Sequence, residues 1–246
     1  GGQRIAHVAR PPPAPMQLAG RVGGCADAAG DGRAPASREC ERPGDGALKD
    51  FGDPAYWDAE YAEACRPGAE DEVYDWLVAW RDMRELVEGL VRDVGAGSAA
   101  VLHLGSGNSP LPEEMHDSGF PNQTCVDISP LCMSHMAARN LESRPSIRWI
   151  TADATALPEE LTCEAFDLVL DKSTTDALVC HDDHALVMAK YVREAYRATA
   201  PSGHFLAVSM HGPTTVLRWL RHRAFDWRVR VVELADPPGP DAPAAA

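Results

Sequence analysis

Basic residues are scarce in this sequence: 23 Lys and Arg stand against 37 Asp and Glu, a formal net charge of −14 at pH 7. A grip on nucleic acid or on an anionic membrane rests on clustered cations, so neither is expected as a partner, while a basic protein is compatible. Long apolar runs are missing too. No stretch reaches the roughly 18 residues that a membrane-spanning helix needs. The seven cysteines are odd in number and form no C-x-x-C pair, which reads as the reduced thiols of an intracellular protein. Cys180, His181, Asp182, Asp183 and His184 crowd together, but no second ligand pair stands elsewhere at zinc-site spacing. No metal is expected there; the stretch reads as a helix-start loop capped by Asp182 or Asp183.

Periodic apolar pattern is absent from the first 50 residues, which are rich in Gly, Ala, Pro and Arg and cannot repay the entropy of ordering. They are expected to be a disordered tail. Gly1 stands where an initiator Met would, and the first two dozen residues carry Arg4, Arg10 and Arg21 with no acid. The thiols point to the cytoplasm; an organellar location is the alternative if this tail is a transit peptide, although Pro11 to Pro13 interrupt any amphipathic helix.

What the remaining chain does have is 45% hydrophobic content, enough for one sizeable core. One folded domain is expected over residues 51–235, followed by a second tail at 236–246. Around Ala99 to Pro110, AAVLHLGSGNSP reads as a buried strand (Val101, Leu102, Leu104) that breaks at Gly105 and Gly107 into a helix opened by Ser109 and Pro110. The third glycine of G-x-G-x-x-G is missing, and Pro110 occupies its place, which argues against a dinucleotide-binding oxidoreductase. About 20 residues on, strand Gln123 to Ile128 ends in Asp127, the position from which an acid takes ribose hydroxyls. Further strands follow at Ile147–Ile150, ending near Asp153 and Ala154, at Phe166–Leu170, stopping at Asp171 and Lys172, and at His204–Ser209. Helices alternate with them, the longest over about Asp183 to Thr199. The pattern predicts an α/β domain with a doubly wound, mostly parallel sheet and a ligand crevice at the carboxyl ends of the strands.

Upstream, Ala55 to Ala64 predicts a helix placing Trp57 and Tyr61 one turn apart, and Glu72 to Arg92 predicts a second, its apolar stripe running from Val73, Trp76 and Leu77 to Val91. At the other end, Trp227 to Leu234 predicts a sixth strand.

The ordered set YWDAEY, YDWLVAW, LHLGSGNSPL, VDIS, RPSIRWITADA and DKSTTDAL resembles the seven-stranded, class I S-adenosylmethionine-dependent methyltransferases, specifically the methyltransferase-like protein 13 and elongation factor 1-alpha lysine methyltransferase group. The resemblance runs from about Ala55 to Leu178. It implies a Rossmann-like fold, S-adenosylmethionine as cofactor and a lysine of a protein, elongation factor 1-alpha among them, as acceptor. Trp57, Tyr61 and Trp76 would cover the methionine end of the cofactor, and Gly105, Ser106, Gly107 and Asn108 would cradle its carboxypropyl and ribose portion. Asp127 would hold the ribose hydroxyls, Ile128 would flank the adenine, and Asp153 with Ala154 would meet its amino edge. Asp171 and Lys172 would line the donor-methyl side as catalytic residues. Three positions depart from the family pattern: Ser106 replaces its usual Cys, Ser173 its Gly and Thr175 its Leu. In the family a seventh strand runs antiparallel between the fifth and sixth, and DPPGPDAPAAA after Leu234 offers none. The sheet is therefore expected to lack it, leaving the chain marginally stable and most mobile after Pro213. A catalytically silent cofactor-binding module and a small-molecule methyltransferase of the same fold are the alternative readings.

Overall fold

The computed structural model of the chain describes residues 5–10, 54–65, 73, 75–163 and 165–234. Its centre is a seven-stranded sheet built from β1 (Ile5–Arg10), β2 (Val101–Leu104), β3 (Gln123–Asp127), β4 (Arg148–Thr151), β5 (Phe166–Lys172), β6 (Thr199–Ser209) and β7 (Arg228–Glu233), in the order β4-β3-β2-β5-β6-β1-β7. Strands β4, β3, β2, β5 and β6 run parallel to one another. Their central members are covered on both faces: every residue of β2 and β3 is buried, the polar His103, Gln123, Thr124 and Asp127 included.

Helices α2 (Trp80–Leu90) and α3 (Leu111–Asp117) pack on one face, and α6 (His184–Ala198) with α7 (Pro213–Leu220) on the other. Helix α1 (Pro54–Ala64) lies against α4 (Pro130–Asn140), where Tyr61 joins Cys132, Met133 and Met136 in a separate cluster. The short helix α5 (Thr174–Leu178) follows β5 directly.

The expectation of a missing seventh strand is overturned. β1 fills that place, running antiparallel to both neighbours, with His7 opposite Ala207 of β6 and Val231 of β7. The strand comes from the stretch expected to be a tail. Six residues, IAHVAR, suffice because two ready edges supply every backbone partner, and Ile5, Ala6, Val8 and Ala9 are all buried there. The gap that motivated a loosely held β7 does not exist. The remainder of the expected tails, residues 1–4, 11–50 and 236–246, lies outside the described residues.

A second correction concerns the helix expected over Glu72–Arg92. It begins only at Trp80, where the Asp82 carboxylate accepts from the Ala79 N–H at 3.1 Å. Residues 75–79 instead form an extended strap, Trp76 is 56% exposed, and Leu77 takes a positive φ of 69°. The apolar spacing continued through this stretch, but tertiary contacts of Asp75 pull it out of the helix.

Candidate functional site

A cavity of about 510 Å³ opens at the carboxyl ends of the parallel strands. Its floor is the turn after β2. Gly105 and Gly107 have φ of +66° and +52°, a conformation that side chains with a Cβ resist. They are crowded as well. A Cβ on Gly105 would stand 2.1 Å from Thr174 Oγ1, whose hydroxyl donates to Leu104 O at 2.7 Å, and one on Gly107 would stand 2.6 Å from Tyr61 Oη. The turn is thus pressed between α5 and α1.

Asp127 ends β3 with its carboxylate buried and lining the cavity. One oxygen accepts from Gly107 N at 2.8 Å and the other from Ser129 N at 3.1 Å. Burial pushes its pKa up, against the lowering effect of these backbone donors. A carboxylate offers about four lone-pair sites, so the group retains capacity for a donor from a ligand. Ile128 and, from the loop after β4, Asp153 and Ala154 continue the wall. Asp153 is itself tied down, accepting from Thr155 N at 2.7 Å.

Across the cavity stand Trp57 and Tyr61, stacked with ring centroids 6.0 Å apart, together with Trp76. Helix α1 is held there by Asp58, whose carboxylate accepts a short hydrogen bond from the Ser129 hydroxyl, while Ser129 in turn caps α4 at Cys132 N, 3.1 Å away. Asp58 escaped sequence reasoning although it sits inside YWDAEY, because nothing local marks a carboxylate that bonds 71 residues away.

Of the residues expected in the site, Trp57, Tyr61, Trp76, Gly105, Asp127 and Ile128 therefore meet in one cavity, with Asp153, Ala154 and Lys172. Ser106 and Gly107 line a small void beside it. Asn108 is buried and faces neither.

Asp171 is placed differently from its expected position on the donor-methyl side. It is fully buried and lines neither cavity, its carboxylate turned under α5 to accept from Thr174 N at 2.8 Å, Thr175 N at 3.1 Å and, through a short bond, the Thr175 hydroxyl. Burial pushes its pKa up to about 6. Thr175, which departs from the family's Leu, adds its hydroxyl to the backbone donors that hold it. Ser173, which departs from Gly, adopts a left-handed φ of 75° and donates its hydroxyl to Asp176 at 3.1 Å. Asp176 does line the cavity, and also accepts from Met210 N at 3.2 Å and from the Ser209 hydroxyl. The carboxylate that reaches the cavity from this segment is thus Asp176, five residues beyond Asp171.

These features suit S-adenosylmethionine. The volume falls within the roughly 300–1,000 Å³ of small-molecule sites, the glycine turn admits close backbone approach, and Asp127 offers unused acceptors to a ribose diol.

Comparison with known proteins agrees. The family profile described as "Methyltransferase domain" matches residues 102–207. The mouse protein named EEF1A lysine methyltransferase 4 is 31% identical over 183 residues, 71% of this chain and 68% of that one. Methyltransferase srdJ of Neurospora crassa is 32% identical over 169 residues, covering 66% of this chain and 67% of the relative. The cattle EEF1A lysine methyltransferase 4 is 30% identical over 183 residues, again 71% of this chain and 68% of that one. With the sheet order, the glycine turn and the strand-end acid in place, the chain belongs to the class I S-adenosylmethionine-dependent methyltransferases, in the group of the elongation factor 1-alpha lysine methyltransferases.

Proposed function

We propose that this methyltransferase acts on a lysine side chain of a protein, with elongation factor 1-alpha as the acceptor, and that it does so in the cytoplasm. The observation that carries the reading is the 31% identity with EEF1A lysine methyltransferase 4 across 68% of that protein. The cavity supports it. Beyond the cofactor residues its wall includes the apolar Leu77, Leu178, Val187 and Met210 beside the polar Asp176 and His181, which suits an alkyl chain ending in an amine.

S-adenosylmethionine, when bound, supplies an electrophilic methyl group on its sulfonium sulfur. The protein's own part is positioning. Asp127 and the glycine turn fix the ribose end, and Trp57, Tyr61 and Trp76 shut water out along the other side, so that an acceptor amine entering past Leu77 and Met210 is aligned rather than free to tumble. A lysine amine has a reference pKa near 10.4 and must lose its proton before it can attack. An apolar, aromatic wall lowers that pKa by disfavouring the charged form. Asp176, held by Ser173, Ser209 and Met210, can orient the amine without itself being consumed.

The test is incubation of the protein with tritium-labelled S-adenosylmethionine and purified elongation factor 1-alpha, followed by mass spectrometry of the labelled band. Methylation on a lysine is the expected result. Label confined to small molecules in a whole-cell extract would replace the protein acceptor with a metabolite, and cofactor binding without any label would mark a silent module.

A further inference from the structure

Lys172 lines the cavity, but its ammonium is committed to the strap. Its side chain is 5% exposed, and its ammonium donates to Asp75 Oδ1 at 2.6 Å and to the backbone carbonyl of Trp76 at 3.0 Å. The same Asp75 oxygen accepts from the Ser109 hydroxyl at 2.8 Å. One carboxylate oxygen thereby ties the strap to two places at once: the end of β5, through Lys172, and the entry to α3, through Ser109. The glycine turn of the cofactor site lies between them.

The strap is bent where it is tied. Val78 N donates to Trp76 O at 2.9 Å, closing a γ-turn about Leu77 with φ of 69°, a rare conformation for a residue with a branched side chain. Such a turn persists only where outside contacts hold it, and Lys172 supplies one at the very carbonyl that closes it. The turn puts both Trp76 and Leu77 onto the wall of the cavity.

We propose that Lys172, Asp75 and Ser109 form a latch that holds the strap across the cofactor cavity, and that Lys172 is a positioning residue which sets how long the cofactor stays, acting through Trp76 and Leu77. The proposal rests on the reading of the cavity as the S-adenosylmethionine site. With the latch closed, Trp76 and Leu77 separate the bound cofactor from solvent on the acceptor side. With it broken, the γ-turn relaxes and that wall opens. Burial lowers the pKa of Lys172, while its pairing with Asp75 opposes that shift and favours the charged, latched form.

Release of S-adenosylhomocysteine, measured by stopped-flow chase, tests the latch without any acceptor protein. Lys172→Met and Asp75→Ala are each expected to speed release about tenfold or more, and the double variant by clearly less than the product of the two, because both remove the Lys172–Asp75 contact. Lys172→Arg, which keeps the charge, is expected within about threefold of wild type. Wild-type binding itself reports on the cofactor site, independently of the latch. Unchanged release in both single variants, a double variant whose effect is the product of the two, or a Lys172→Arg variant as fast as Lys172→Met would each overturn the proposal. A residue that served only the stability of the fold would lower the melting temperature of all these variants without this pattern of shared loss and rescue.

Discussion

His7 sits in the middle of β1 at 0% exposure, and neither of its ring nitrogens meets a partner. Burial lowers its pKa from 6.5 to about 4. A base whose pKa is depressed on folding binds its proton more readily in the unfolded chain, so the stability present above pH 6.5 is lost as the pH falls toward 4. Between pH 7.5 and 5.5 the linkage relation gives a loss of about 1 kcal/mol from this one residue. The whole protein's pH profile will not isolate it. His103, buried in β2 beside Gln123 Oε1 at 2.7 Å, also has a pKa lowered to about 4 and adds a loss of similar size. Asp171 works the other way: an acid raised to about 6 contributes stability as the pH falls over the same interval. His7→Leu removes one contribution and leaves the others. Urea denaturation of wild type and variant at the two pH values should show the variant losing about 1 kcal/mol less than wild type on acidification. At pH 7.5 the variant should be at least as stable, since two unsatisfied nitrogens give way to apolar surface. An equal acid loss in both proteins would refute the placement of β1 between β6 and β7, because a His7 in solvent would have no depressed pKa to lose.

Two substitutions probe the cofactor cavity and its support. Gly107→Ala places a Cβ 2.6 Å from Tyr61 Oη at a φ of +52°, so α1 must shift; S-adenosylmethionine affinity measured by calorimetry should fall about tenfold or more, and an unchanged affinity would show that Tyr61 does not close over the turn. Thr175→Val keeps the shape but removes a hydroxyl from buried Asp171, which should cost about 1.5–3 kcal/mol in denaturant unfolding; a loss below about 0.5 kcal/mol would mean that the carboxylate is held by backbone donors alone.

The α/β body was legible in the sequence because its signals are local. Apolar β2 ends at a G-x-G turn, β3 ends at Asp127, and the stretch near Asp153 follows the same pattern, so their convergence follows from parallel topology alone. What could not be read depends on distant partners. IAHVAR is too short and too deeply set among Gly, Pro and Arg to announce a strand, and its value comes from two edges about 200 residues away that need filling. Residues 75–79 keep helical spacing, yet Lys172 and Ser109 outbid the helix for Asp75. Asp171 stands at a strand end like the other acids, and the amides of Thr174 and Thr175 with the hydroxyl of Thr175 turn it inward. That Thr in place of the family's Leu was visible as a departure; its partner was not.

The central claim is that the cavity at the ends of β2 to β5 holds S-adenosylmethionine through Asp127. Calorimetric titration of the cofactor into wild type and Asp127→Ala tests it most directly. Wild type should bind one equivalent, and the variant, deprived of charge-assisted hydrogen bonds worth about 1.5–3 kcal/mol, should bind about ten- to a hundredfold more weakly. Equal affinity in the two proteins would contradict the account.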